Sequence, residues 1–326
     1  MAEHGAVAFV TGGTGFVGSH LVESLLGAGW RVRCLVRHTS DRSWLPERRA
    51  EEVRGSLLDA GALEKGLDGV DTVFHLAGLT SARYPHEYAT VNVEGTWRLV
   101  AAVRARAPAA TFLFCSTLAA AGPAPPGGAV IEADPPRPIG PYGTSKLEAE
   151  RVVAASGLRH VIVRPPTVYG PRDRDVLAMF RLAWLGLAPR LGPPAQRLSM
   201  VYVTDLVEGI RLAAQRAAPG SLYYLSGATH SWREVVQALS RLFDRRVREL
   251  GIPGPLARVA ATGSRAIARV SGAKPLLTPE RIMDMLQSSW ACDDSRARAE
   301  LGYSPRVTLE EGLRTTAAWY RTHGWL

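Results

Sequence analysis

Three observations in this 326-residue sequence predict an α/β protein whose parallel sheet is covered by helices on both faces. Short apolar runs recur through the first half, helical patterns separate them, and the first run stops at a glycine-rich turn. That run, Ala6-Val7-Ala8-Phe9-Val10, is long enough for a buried strand. It leads into Thr11-Gly12-Gly13-Thr14-Gly15-Phe16-Val17-Gly18, whose glycines fall at i, i+3 and i+6. Gly12 permits the tight turn, Gly15 lets the backbone approach a diphosphate, and Gly18 lets the following helix pack on the strand. Leu21, Val22, Leu25 and Leu26 then make the apolar stripe of a helix whose N-terminus can receive the phosphate. Strand, motif and helix in that order are the opening unit of a Rossmann-type doubly wound sheet, with Thr14, Phe16 and Val17 joining the glycines as expected cofactor contacts.

Residues 31–36 (Arg-Val-Arg-Cys-Leu-Val) form the next strand, and its end is where such a fold reads the adenosine ribose. An acidic residue there would accept from a 2′-hydroxyl. This chain has Val36 and then Arg37, so the expectation is NADP(H) in preference to NAD(H), with NAD(H) still possible and a solvated surface arginine as the alternative reading. Later strands are expected around Val53 and over residues 72–76, 111–116 and 160–164. Leu58 and Asp59 follow the third strand, and Ala77 and Gly78 the fourth, at the strand ends where open α/β sheets bind ligands. Asp59 suits the adenine amino group or a helix cap, and the small Ala77 and Gly78 leave room for cofactor or form a turn.

Tyr142-Gly143-Thr144-Ser145-Lys146 places a phenol and an ammonium at i and i+4, on one helical face. Lys146 is one of three lysines, with Lys65 and Lys274, among 39 basic residues. A lysine beside a tyrosine favours the phenolate, which makes the pair an acid/base device for carbonyl chemistry. Thr117, 25 residues before Tyr142, ends the fifth apolar run and can bring a hydroxyl to the same place.

With these pieces in view, the chain resembles the extended short-chain dehydrogenase/reductase family, also called the NAD-dependent epimerase/dehydratase family. The matching stretches are TGGTGFVG, GSLLD, HLAG, FCSTLAAAG, YGTSK and RPPTVYGPRD. The resemblance implies that Thr117 orients the substrate oxygen, Tyr142 exchanges a proton with it, and Lys146 also bonds the nicotinamide ribose. It further implies cofactor contacts from Ser116 and from Pro165 to Val168, and substrate contacts from Leu79, Thr80, Thr117 and Thr167.

Within that family, dehydratases carry an acidic pair directly after the threonine, where this chain has Leu118-Ala119, so dehydration is not expected. Epimerases of the family grip nucleotide phosphates with an arginine seven residues before an aspartate. Counting back from Asp205 gives Leu198, with Arg197 adjacent. A second phosphate-gripping stretch is replaced by residues 277–286, apolar on one face. These departures favour a branch resembling dihydroflavonol reductase or 3β-hydroxysteroid dehydrogenase: an NADPH-dependent enzyme moving hydride to or from a carbonyl or alcohol of a mostly apolar small molecule. A nucleotide-sugar 4-epimerase with retained cofactor, and a non-catalytic NADP-binding sensor, are the alternatives.

The hydrophobic content of 46% with 21% charged residues fits a soluble globular protein, and no apolar run approaches a bilayer span or a signal peptide. Cys34, Cys115 and Cys292 have no ligand spacing, so neither disulfide nor metal is expected, and a cytoplasmic location is. The net charge of +9 is spread over diffuse arginines without interleaved aromatics, which argues against nucleic acid. Residues 255–270 read as a basic amphipathic helix, with Leu256, Val259, Ala260, Ile267 and Val270 set against Arg258, Arg265 and Arg269. Such a helix suits weak contact with a membrane surface, or a lid over a substrate pocket. The proline- and glycine-rich residues 122–143 also have the composition of a functional lid. The expected organisation is a cofactor-binding unit over residues 1–170, a segment near 200–225 returning to it, and a smaller, discontinuous substrate lobe in residues 171–326. A homodimer is left open.

Overall fold

The computed structural model describes residues 5–46, 49–82, 84–271 and 279–326, and the backbone alone at 260, 265–271 and 279–281. The chain begins β1 (Val7–Thr11), α1 (Phe16–Gly27), β2 (Arg31–Val36), β3 (Glu51–Arg54), α2 (Ala60–Leu67) and β4 (Thr72–His75). A short α3 (Pro85–Tyr88) and a π-helical turn (Ala89–Glu94) run into α4 (Gly95–Arg106), followed by β5 (Thr111–Cys115), α5 (Leu118–Ala121), α6 (Pro141–Ala154), β6 (His160–Arg164) and β7 (Thr167–Tyr169). Next come α7 (Leu177–Trp184), β8 (Leu187–Arg190), β9 (Arg197–Tyr202), α8 (Val203–Arg216), β10 (Ser221–Tyr224), β11 (Thr229–Ser231) and α9 (Trp232–Leu242). The chain ends with β12 (Arg248–Gly251), α10 (Gly254–Ser271), α11 (Pro279–Met285), β13 (Ser289–Trp290), α12 (Ser295–Leu301) and α13 (Leu309–Thr322).

Seven strands make one sheet in the order β10-β6-β5-β4-β1-β2-β3, every pair parallel. The order reverses at β1, and the crevice beside it, at the strand C-termini, is where such folds take their ligand. Parallel strands buried on both faces need side chains that are apolar on both, and β1 is buried at all five positions. On one face Leu21, Val22 and Leu25 of α1 share a core with Leu206, Val207 and Ile210 of α8 and with Ala297 and Leu301 of α12. On the other, Leu63 and Leu67 of α2 join Leu99, Val100 and Val103 of α4 and Ala149 and Val153 of α6. Near residues 200–225, it is α8 and β10 that rejoin this sheet; β9 does not.

A smaller sheet is centred on β9, which pairs antiparallel with β11 and parallel with β7 and β13. Its core joins Tyr169, Phe180, Met200 and Tyr202 to Val235 and Leu239 of α9 and Leu313 and Tyr320 of α13. β8 and β12 form a separate parallel pair. The proline- and glycine-rich segment before α6 is pinned down rather than free: Ala124 N–H donates to Ser289 O at 3.0 Å and Val130 N–H to Ala291 O at 2.9 Å. Of the expected basic amphipathic helix, Ala260, Arg265, Ile267, Arg269 and Val270 lie outside the described side chains, as do Leu277 and Thr278 of the segment after it. No described helix is long and apolar enough to cross a membrane.

Candidate active site

The turn between β1 and α1 forms a cradle of bare backbone. Gly12 takes φ +75°, and a Cβ there would sit 2.6 Å from Ala77 N, while a Cβ on Gly18 would collide with Gly12 O. Gly15 caps α1 without a side-chain bond, so the amides of Phe16, Val17 and Gly18 have no intrahelical acceptor, and the first turn holds no acidic residue. Those amides and the helix dipole suit a diphosphate.

Next to this cradle, β4 carries a fully buried histidine. Thr96 Oγ1 donates to Asn92 O at 2.6 Å, so it accepts from His75 Nε2 (2.9 Å), and His75 Nδ1 in turn accepts from Thr11 Oγ1 (2.6 Å). Ala77 N–H closes the chain on Thr11 Oγ1 at 3.3 Å. Burial, aided by the Lys146 charge, pushes His75 down to about 3, which keeps it neutral, while the two threonine bonds set its tautomer.

Pro141 at the first helical turn starts α6 directly before Tyr142, a position where its missing N–H costs nothing. A Cβ on Gly143 would strike Ala119 O, so glycine lets α6 approach α5 closely. Thr117 caps α5 by accepting Ala119 N–H at 3.2 Å, and its hydroxyl also hydrogen bonds the Tyr142 phenol. Burial drives that phenol well above its ordinary range, and the Thr117 bond opposes the push. Lys146 is only 4% exposed; its Nζ donates to Cys115 O at 2.7 Å and lies 4.1 Å from the centre of the Phe114 ring. Burial lowers Lys146 to about 8, with Cys115 and Glu150 pulling the other way. The ammonium is thus held by the Cys115 carbonyl, whereas the spacing alone had set it directly against the phenol.

Sequence reasoning missed the supports of this strip. Asn92, in the π-helical turn, donates Nδ2–H to Ser145 Oγ at 2.9 Å, and Ser145 Oγ donates to Tyr142 O at 2.8 Å. One turn after Lys146, Glu150 takes a bidentate ion pair from Arg164, with Nε at 2.9 Å and Nη2 at 2.6 Å, both side chains about 5% exposed or less. Arg164 Nη1 also reaches Tyr224 Oη at 3.1 Å, which ties α6 to β6 and β10. The i+4 spacing of Glu150 from Lys146 and the arginine ending β6 were the available signals.

Beyond Thr117 and Tyr142 opens a cavity of about 340 Å³. Leu118, Pro166, Leu191, Leu198, Trp232, Met285 and Trp290 contribute its apolar walls. Two of its polar side chains are engaged elsewhere: Arg190 with Glu249 and Gly192 O, and Gln196 Nε2 with the carbonyls of Met285 and Gln287 at 2.9 Å each. Arg197, the neighbour of Leu198, is not in the wall and donates to Gly127 O at 2.9 Å.

The predicted residues divide accordingly. Thr117, Tyr142 and Thr167 line the cavity, while Leu79 and Thr80 do not; Leu79 is tied through its main chain to Asn92 and Thr80 is exposed. The Ser116 hydroxyl is taken up by Glu150, so the expected cofactor contact would have to come from its main chain. Asp59 caps α2 by accepting Ala62 N–H at 3.1 Å, beside an exposed Leu58. Arg37 is exposed just past β2. Gly78 sits against Asn92 and Lys146, Pro165 O accepts Leu118 N–H at 2.8 Å, and Val168 is half-buried in β7.

Residues 8–225 match the model of the NAD dependent epimerase/dehydratase family. The chain belongs to that family. Members of this family are NAD(P)-dependent oxidoreductases and epimerases, and the present chain is such an enzyme. It is 30% identical to a ceramide reductase of Caulobacter vibrioides over 98% of this chain and 96% of the relative. To the 4-hydroxy-2-methyl-3-oxo-4-farnesyl-3,4-dihydroquinoline-1-oxide ketoreductase of Stigmatella aurantiaca it is 31% identical, over 94% of each chain. The structure of MoeE5 in complex with UDP-glucuronic acid and NAD superposes with a TM-score of 0.76 at 29% identity, covering 98% of this chain and all of the other.

Proposed function

We propose that this enzyme is an NADPH-dependent reductase of a carbonyl on a mostly apolar small molecule, with Thr117, Tyr142 and Lys146 as its catalytic residues. The observation that carries the reading is the wall of the cavity. Leucine stands at position 198, the arginine beside it bonds Gly127 O, and Arg190 and Gln196 are occupied by protein partners. A nucleotide diphosphate would find little to hold it there, whereas an apolar chain finds leucine, methionine and tryptophan. Two relatives, named for a ceramide and for a farnesyl-bearing dihydroquinoline oxide, point the same way.

The amides of Phe16, Val17 and Gly18 would hold the cofactor diphosphate, with Arg37 against a ribose 2′-phosphate and Asp59 near the adenine. Ala77, Gly78, Pro165 and Val168 would enclose the remainder, and Lys146 would bond the nicotinamide ribose. A bound nicotinamide supplies the hydride. Tyr142, kept protonated by burial, donates its proton to the substrate oxygen, and the Thr117 hydroxyl fixes that oxygen by a hydrogen bond. The Lys146 ammonium then favours the phenolate left behind.

The test is turnover with a panel of long-chain and aryl ketones, followed by loss of NADPH absorbance, alongside UDP-glucose and UDP-glucuronic acid. Stoichiometric oxidation of NADPH with an apolar ketone is expected. Interconversion of UDP-sugars with no net change in cofactor would establish the epimerase instead, and tight cofactor binding with no turnover of either class would establish a sensor.

A further inference from the structure

We propose that the outer face of α10 docks on an anionic lipid surface. The inner side of this helix packs behind the cavity wall. Ala257 and Ala261 are buried against Ile282 of α11, Leu191, Ile252 and Leu286, and α11 with Leu191 supplies part of the cavity wall. Roughly 150° around the helix, at about 100° per residue, Leu256 and Val259 face outward, 61% and 70% exposed. Leu250 on the wholly exposed β12 and Met283 on α11 are also exposed large apolar side chains. In sequence, Ile267 and Val270 recur at the helical period of Leu256 and Val259, and Arg265 and Arg269 at that of Arg258.

Charge selects the occupant. Residues 254–278 contain Arg258, Arg265, Arg269 and Lys274 and no aspartate or glutamate, in a chain of net charge +9. A second copy would bring like charge to the same face. An anionic bilayer matches it twice, by taking the leucine and valine among its acyl chains and by attracting the exposed Arg258 and the positive charge that the sequence carries through this stretch. The helix would then stand between the lipid phase and the cavity wall, a placement suited to a substrate that partitions into lipid. The docking surface itself goes beyond the reductase reading, and only its use for substrate entry rests on it.

Vesicle flotation of the full chain tests the docking, with phosphatidylglycerol/phosphatidylcholine vesicles against phosphatidylcholine alone. Binding to the anionic vesicles is expected. Leu256→Ser/Val259→Ser should weaken it by at least about tenfold, an effect of losing inserted apolar area, with unchanged thermal melting because both side chains are exposed. Arg258→Gln should weaken it less and reduce its salt dependence. The proposal is overturned by absence of binding to the anionic vesicles, by equal binding to neutral vesicles, by full binding of the double variant, or by a dimer in gel filtration that the double variant dissociates. For turnover, the double variant should retain activity on a water-soluble ketone and lose it on a vesicle-borne one. Loss of all ketone activity in the wild type would break the reductase reading while leaving the flotation result standing.

Discussion

Around Lys146 nearly every polar group is bonded to another part of the main sheet, while the opposite wall of the cleft is made of apolar side chains from segments far apart in sequence. On the first side, Asn92, Ser145, Glu150, Arg164 and Tyr224 connect four elements through buried hydrogen bonds. On the second, Leu198 and Trp290 come from the small sheet, Leu191 from just after β8 and Met285 from the end of α11, and Met285 is itself 46% exposed. The difference separates two tasks. Proton and hydride transfer demand atoms fixed to fractions of an ångström, and directional bonds in a dry interior supply that. Choosing among substrates at such a wall needs only shape and volume, which methionine and leucine can change without disturbing the chemistry.

The sharpest way to break that division is Tyr142→Phe, which keeps the ring and removes the proton donor. A fall in kcat of about 10²- to 10⁴-fold is expected, with cofactor Kd within a few fold; a variant that kept most of its kcat would remove Tyr142 from the reaction. The bonded side should also be the fragile one. Arg164→Met leaves Glu150 buried without its partner and should cost about 3–5 kcal/mol of stability by denaturant titration. A loss as small as that of a surface substitution would mean that the pair does not hold α6.

Arg37→Ala addresses the cofactor alone. Wild-type kcat/KM should be higher with NADPH than with NADH, and the variant should close most of a gap worth about 1.5–3 kcal/mol. Equal use of both cofactors by the wild type would place the arginine in solvent.

The smallest effect expected is a displaced pH limb. Because Lys146 lies at about 8, with an ordinary value of 10.5 once unfolded, the rate should fall as pH rises through 8. Over the window from 8 to 10.5 the folded chain binds fewer protons than the unfolded one, so stability should rise while activity falls. Glu150 raises Lys146, and His75 stays neutral throughout, so Glu150→Gln should move the activity limb to lower pH. A limb that did not move would show that Lys146 does not set it.

What the sequence made legible was local. The glycine turn, the apolar strands and Tyr142 with Lys146 are short patterns with their own chemistry, and the observed β1 differs from the expected one by a single residue at each end. Contacts between distant segments were not legible. Ser116 carries a hydroxyl at a strand end and invites a ligand role, but its partner Glu150 lies 34 residues on. The Thr11–His75 bond spans 64 residues, and β8 pairs with β12 across a separation that no periodicity encodes. The wall of the cavity, drawn from residues 117 to 290, could be anticipated only by composition.

Gly143 joins Tyr142 to the rest of its helix in a space that Ala119 O closes to any side chain. In a randomised library screened for turnover, this position should therefore return glycine almost alone, since even a methyl group would part the two hydroxyls on either side of the contact. Leu198 and Met285 should return many residues. An evolutionary search for new substrates would thus move freely along one wall of the cleft and be halted at a single atom on the other.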